Sequence, residues 1–139
     1  MVYNEEMTAN FSEAEFLVSS TYPDIAKNMR LSVCQKNRLF LLSTFALEPI
    51  REKFGTTIIT SGYRDPLLNE AIGGVNTSQH CKAEAVDFIC PKAKSMKAVY
   101  NWILRTLAWK GELIYYSAKG HIHIGLPNLA VHPDHFIKQ

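Results

Sequence analysis

The run His121-Ile122-His123-Ile124 restricts the fold more than any other stretch of the chain. Strict alternation of polar and apolar residues has the period of a β-strand, so both imidazoles leave from one face while Ile122 and Ile124 enter a core from the other. Such a strand needs partners. Residues Ala85 to Cys90 read as one, with Asp87 inside it, and Glu112 to Tyr116 as another, joined to the histidine strand by a hairpin turn at Ala118, Lys119 and Gly120. The β-branched run from Thr56 to Thr60 predicts a further buried strand, leading into the loop SGYRDP.

Between these strands the period changes. Ser12 and Glu15 have capping-box spacing and Phe11 and Phe16 occupy staple positions, so a short helix is predicted from Ser12, ending before Pro23. Leu39, Leu42, Phe45, Ala46, Ile50 and Phe54 form one helical stripe that Gly55 stops and Pro49 kinks or restarts. Pro66 opens a brief helical turn through Ile72 before the Gly73-Gly74 break, and Ser95 caps a helix with Met96, Val99, Ile103 and Leu107 on one face. The fold class is α+β, a small antiparallel sheet with helices packed around it. With 139 residues, 47% of them hydrophobic, one core and one domain are expected, its core at residues 12–126. Residues 127–139, with His132 and His135, read as a solvated tail rather than a metal tract.

Several functional classes fall away on composition. A formal net charge of +2 does not argue for a nucleic-acid partner. Cys34, Cys81 and Cys90 are odd in number and form no CxxC pair, so reduced thiols are expected rather than a disulfide framework or a thiolate metal site. The N-terminus lacks the basic start and apolar stretch of a secretory signal, and no segment approaches the roughly 20 apolar residues that span a membrane. Synthesis in the cytoplasm is the expectation, with delivery by another agent if the substrate lies outside. Oligomeric state is left open.

Two imidazoles and a carboxylate are the donor set of a zinc ion that keeps a fourth position free. His80, Asp87 and His123 meet that count; His121 and His123 share one strand face, so one of that pair can bind metal while the other lines the pocket. On spacing alone, His80 and Asp87 read first as satisfied polar groups of an ordinary core.

The stretches ITSGYRDPLLNEAIGGVNTSQHCKAEAVDF and LIYYSAKGHIHIGL resemble the zinc D-Ala-D-Ala carboxypeptidase and L-Ala-D-Glu endopeptidase family of metallopeptidases, particularly its small phage- and virus-encoded members. FSEAEFLVSST and LEPIREKFG extend the likeness over nearly the whole chain. The resemblance implies the hedgehog/DD-peptidase-like fold and a zinc cofactor. It places metal ligands on His80 and Asp87 of an HxxGxAxD-like pattern and on His123, a carboxylate-binding role on Arg64, and a supporting role on Ser78. Ala83 stands where that pattern has glycine, which predicts a turn that avoids a backbone shape only glycine tolerates. Many relatives carry an acid in the strand before the last ligand or three residues ahead of it, where this chain has Tyr116 and Gly120. For the proton-transfer group His121 is the first choice, with Glu112 and Glu84 as alternatives and Tyr116 as a possible oxyanion donor.

The function implied is zinc-dependent hydrolysis of peptidoglycan stem or cross-link peptides, as a D,D-carboxypeptidase or an endopeptidase in the manner of an endolysin, with activated water as nucleophile. A second reading keeps fold and zinc but not turnover: a domain that binds wall peptide or a protein partner, as the similar hedgehog domain suggests.

Overall fold

Two strong start signals and one wide turn set the helical half of the protein. In the computed structural model, which describes residues 6–127 and 135–139, Ser32 opens α2 (Val33–Leu42) with a complete capping box: its hydroxyl accepts from the Gln35 N–H while the Gln35 side chain accepts from its own. The helix runs into a wide π turn (Ser43–Leu47) and then α3 (Glu48–Phe54). Pro49 explains the wide turn. It has no N–H, and its ring would strike the Phe45 carbonyl in a regular helix; in the π turn the Glu48 N–H bonds instead to the Ser43 carbonyl. One extra residue turns the helix face by about 100°, so Leu47 is buried and Phe45, expected in the apolar stripe, is 62% exposed. Gly55, at φ 82°, ends α3.

The predicted helix at Ser12 is only a 3-10 turn (Glu13–Phe16) without a side-chain cap; Phe11 and Phe16 do pack, with ring centroids 6.4 Å apart. Before it β1 (Glu6–Thr8) and β2 (Phe11–Ser12) form a small antiparallel pair, tied to α3 where Asn10 donates from its backbone and side chain to Glu48. A short α1 (Pro23–Lys27) lies between this unit and α2. Further along, α4 (Pro66–Ala71) starts at Asp65, whose carboxylate accepts from the Leu68 N–H. Ser95 caps α5 (Met96–Trp102) as its sequence predicts.

The main sheet has the order β3-β4-β6-β5-β7, with β3 (Ile58–Ser61), β4 (Ala85–Ile89), β5 (Leu113–Tyr116), β6 (His121–Gly125) and β7 (His135–Lys138). The class is α+β, as read from the sequence. The sheet, however, is mixed rather than purely antiparallel, because β7 pairs parallel with β5. Residues 135–138 are therefore an edge strand, not a solvated tail, and His135 Nε2 donates to the Gly111 carbonyl at 2.8 Å. His132 lies outside the described residues. Val86, Phe88, Leu113, Ile122 and Ile124 of the sheet share one core with Leu39, Leu42, Ala46, Leu47, Ile50, Val99 and Ile103 of the helices. No helix among the described residues is long and apolar enough to cross a membrane.

Candidate metal centre

Residues paired across antiparallel strands share a face of the sheet. Asp87 pairs with His123, His123 with Ile114, and His121 with Tyr116, so these five and Glu112, two before Ile114, all stand on the face opposite the core. Above that face a cavity of about 430 Å³ is lined by Arg64, Val75, Thr77, Ser78, Gln79, His80, Asp87, Glu112, Tyr116, Lys119, His121 and His123. Eight residues singled out from sequence are among them. Glu84 and Cys81 are not, and the chain's three cysteines are free.

His80 reaches the site from a 3-10 turn (Gln79–Lys82) whose first N–H groups are capped by Ser78; the Ser78 hydroxyl accepts from the His80 N–H at 3.2 Å. The turn leaves through Ala83 at φ 56°, ψ 36°. The expectation that this turn avoids a glycine-like shape is thus overturned: Ala83 adopts the left-handed conformation itself, at a cost of about 1–2 kcal/mol. It is fully buried, and the packing around its methyl and the ladder of β4 hold it there.

The His80 ring is fixed by a bond between its Nδ1 and the Gly62 carbonyl at 2.8 Å. A carbonyl only accepts, so Nδ1 carries the hydrogen and Nε2 points its lone pair inward, 3.2 Å from Asp87 Oδ1. On the other side of that oxygen stands His123 Nδ1 at 3.0 Å. The far nitrogen of His123, Nε2, lies 2.7 Å from Glu112 Oε1, close but off the direction of a well-formed hydrogen bond. His121 Nε2 is 3.7 Å from Asp87 Oδ2.

Acceptors facing acceptors at such distances call for positive charge between them. Burial works against ionisation of Asp87, yet the contacts with His123 and His80 outweigh it and hold the carboxyl well below its usual range. Burial likewise opposes protonation of His123, but Asp87 and Glu112 raise its pKa to about 9. A dication meets the same demand. One ligand atom from each of His80, Asp87 and His123 lies within 4.8 Å of the others, and this nitrogen-nitrogen-oxygen set suits zinc.

A model of the peptidase M15 family matches residues 9–125. The chain belongs to the peptidase M15 family. No curated protein matches it. M15 peptidases are zinc enzymes, and in this member, among the described residues, the group that can hold the ion is His80, Asp87 and His123.

The contacts that support Arg64 in this M15 site were not legible beforehand. Arg64 is one residue past Tyr63 on the loop leaving β3, and its backbone N–H donates to the His80 carbonyl at 3.0 Å. Its Nη1 donates to Asn69 Oδ1 at 3.3 Å, while Asn69 Nδ2 donates to the Val75 carbonyl at 3.2 Å. Gly74 makes room for this: a Cβ there would lie 2.1 Å from Asn69 Oδ1 and 2.8 Å from Arg64 Nη1. Arg64 Nε is buried without a partner, and among the described residues the guanidinium makes no ion pair. Asn69, Gln79, Thr77 and Lys119 were missed because a neutral side chain beside a recognised residue, or a lysine in a hairpin turn, has no pattern of its own.

Proposed function

We propose that the protein hydrolyses peptidoglycan stem or cross-link peptides, cutting near a free carboxylate, with zinc held by His80, Asp87 and His123. The observation that carries this reading is Arg64: a guanidinium oriented by a neutral amide, without an acidic partner among the described residues, in the cavity that also contains the metal-ligating group. An unpaired guanidinium fork matches a carboxylate in two hydrogen bonds, which suits a peptide C-terminus.

Bound at this group, zinc supplies a Lewis acid that polarises a carbonyl and activates water. The chain's own groups do the rest. His121 takes the proton of the attacking water and returns it to the departing amine; burial, partly opposed by Asp87, lowers its pKa, so near neutral pH it is the free base. Tyr116, whose ring lies 5.0 Å from that of His121, keeps its proton because burial and then Asp87 raise its pKa, and its hydroxyl donates to the oxygen on which charge develops. The Ser78 hydroxyl, whose oxygen caps His80, has its own hydrogen to offer the substrate. Delivery to a bacterial wall by a virion or by lysis partners belongs to the same proposal.

The test is peptide release from purified peptidoglycan and from a D-Ala-D-Ala-terminated stem peptide, comparing zinc-loaded protein, chelated protein and His121→Ala. Release that needs zinc and falls at least 100-fold in the variant is expected. Binding of the stem peptide without release, at a full equivalent of zinc, would replace the enzyme with a wall-peptide binding domain; the occupation of Glu112 by His123 and the tyrosine at position 116 favour that second reading.

A further inference from the structure

The site face of the sheet extends past β5 to the edge strand. In β7, Phe136 aligns with Ile114 and Lys138 with Tyr116, and the Ser117 N–H donates to the Lys138 carbonyl at 2.8 Å. Lys138 Nζ consequently stands 5.9 Å from the centre of the Tyr116 ring. Lys119, from the turn between β5 and β6, stands at the same 5.9 Å. Two ammonium groups from separate segments thus each lie against one aromatic ring, which attracts each of them weakly. Among the described residues neither has a carboxylate within 4 Å. Tyr116 and Lys119 both line the cavity that holds the metal-ligating group.

Arg64 leaves from β3 and Lys119 from β5, with β4 and β6, the strands of Asp87 and His123, in between. Three strand spacings are about 14 Å, the reach of roughly four extended residues. A peptide held at Arg64 by its terminal carboxylate and crossing the metal group would therefore present the side chain of a residue some three positions upstream to Tyr116.

Resting on the peptidase reading above, we propose that Lys119 and Lys138 at Tyr116 form a second anion subsite, which takes a carboxylate carried by the substrate upstream of the scissile bond. The preferred substrates are then peptides with two acidic points, a free C-terminus and an upstream acid, and a neutral upstream residue is disfavoured.

Equilibrium binding decides this apart from turnover. Two labelled D-Ala-D-Ala-terminated peptides, identical except that the residue three positions upstream is an acid or its carboxamide, are titrated into zinc-loaded protein at low and high salt. The acid peptide should bind about five- to tenfold tighter at low salt, with the ratio shrinking as salt screens the pair. In Lys119→Met/Lys138→Met the ratio should fall to about one, and in Lys119→Arg/Lys138→Arg it should persist; each single methionine variant should lower it if the double variant does not fold. A ratio near one in the unaltered protein, or the full ratio surviving in folded methionine variants with a full equivalent of zinc, overturns the subsite. Hydrolysis of the same peptides is read separately: a binding preference without cleavage leaves the subsite standing and removes the peptidase, and cleavage without preference does the reverse.

Discussion

Glu112 Oε1 lies 2.7 Å from His123 Nε2, on the side of the imidazole away from Asp87. The relation casts Glu112 less as a free base than as the group that aims His123 Nδ1 at the metal. Its carboxyl is held below the usual range mainly by His123, against burial. A carboxylate behind a ligand imidazole fixes its tautomer and raises its basicity, and such partners are typically worth 10- to 100-fold in metal affinity. Glu112→Ala should weaken zinc binding by that factor in competition with a chromophoric chelator, and Glu112→Gln by less. Unchanged affinity in both would show that the contact does not support the ligand.

Zinc that binds only the folded state adds RT ln(1 + [L]/Kd), about 2.7 kcal/mol at a hundredfold excess over Kd. For a domain of this size chelation should lower Tm by roughly 5–10 °C. In His123→Ala bound zinc should drop below one equivalent and the chelation shift should nearly vanish, which differential scanning calorimetry and metal analysis can read together.

Ala83 combines a left-handed backbone with complete burial. Ala83→Gly relieves strain but gives up a buried methyl and adds freedom to the unfolded chain, so the changes offset to within about 1 kcal/mol. Ala83→Val places a β-branched side chain in that conformation and overfills the core, and should cost at least about 2–3 kcal/mol in urea unfolding. Equal stability of the two variants would remove the strain argument.

At Gly74 the consequence is functional rather than global. A Cβ there meets Asn69 Oδ1 and Arg64 Nη1, so Gly74→Ala should displace the guanidinium and raise KM for a substrate with a free C-terminus about tenfold or more, while the zinc equivalent stays at one. An amidated C-terminus should lose much less.

The thiols should divide by exposure. Cys34 is exposed, whereas Cys90 is buried against Thr57, and burial raises its pKa despite the Thr57 contact at 3.6 Å. Because the thiolate is the reactive form, Cys90 should stay unmodified by Ellman's reagent at pH 8 under conditions that modify Cys34 within seconds, and should react only after unfolding.

How far the sequence reached follows from which signals were local. His121 and His123 could be placed on one face because alternation along a single strand fixes it, and that strand's register against β4 brings Asp87 into line. Ser95 carries its cap within three residues and was read from sequence; the equally local box of Ser32 and Gln35 was not. The π turn at Ser43–Leu47 was not legible, since Pro49 announces a disturbance without saying whether the helix kinks, restarts or widens. β7 was missed for another reason: its pairing with β5 is made by main-chain groups across a long chain separation, and an edge strand with Phe136 and Ile137 half in water lacks clean alternation. The Asn69–Arg64 support depends on an approach at Gly74 that only coordinates reveal.

Alternation along β6 has one more effect. His121 and His123 face the cavity and Ile122 and Ile124 face the core; a slip of the strand by one residue exchanges the two sets, driving imidazoles among leucines and isoleucines into solvent. Misregistered forms are therefore unstable and also fail to assemble the metal-ligating group. Quality control of the fold and quality control of the site are a single selection, and a chain that survives it arrives with its histidines already aimed.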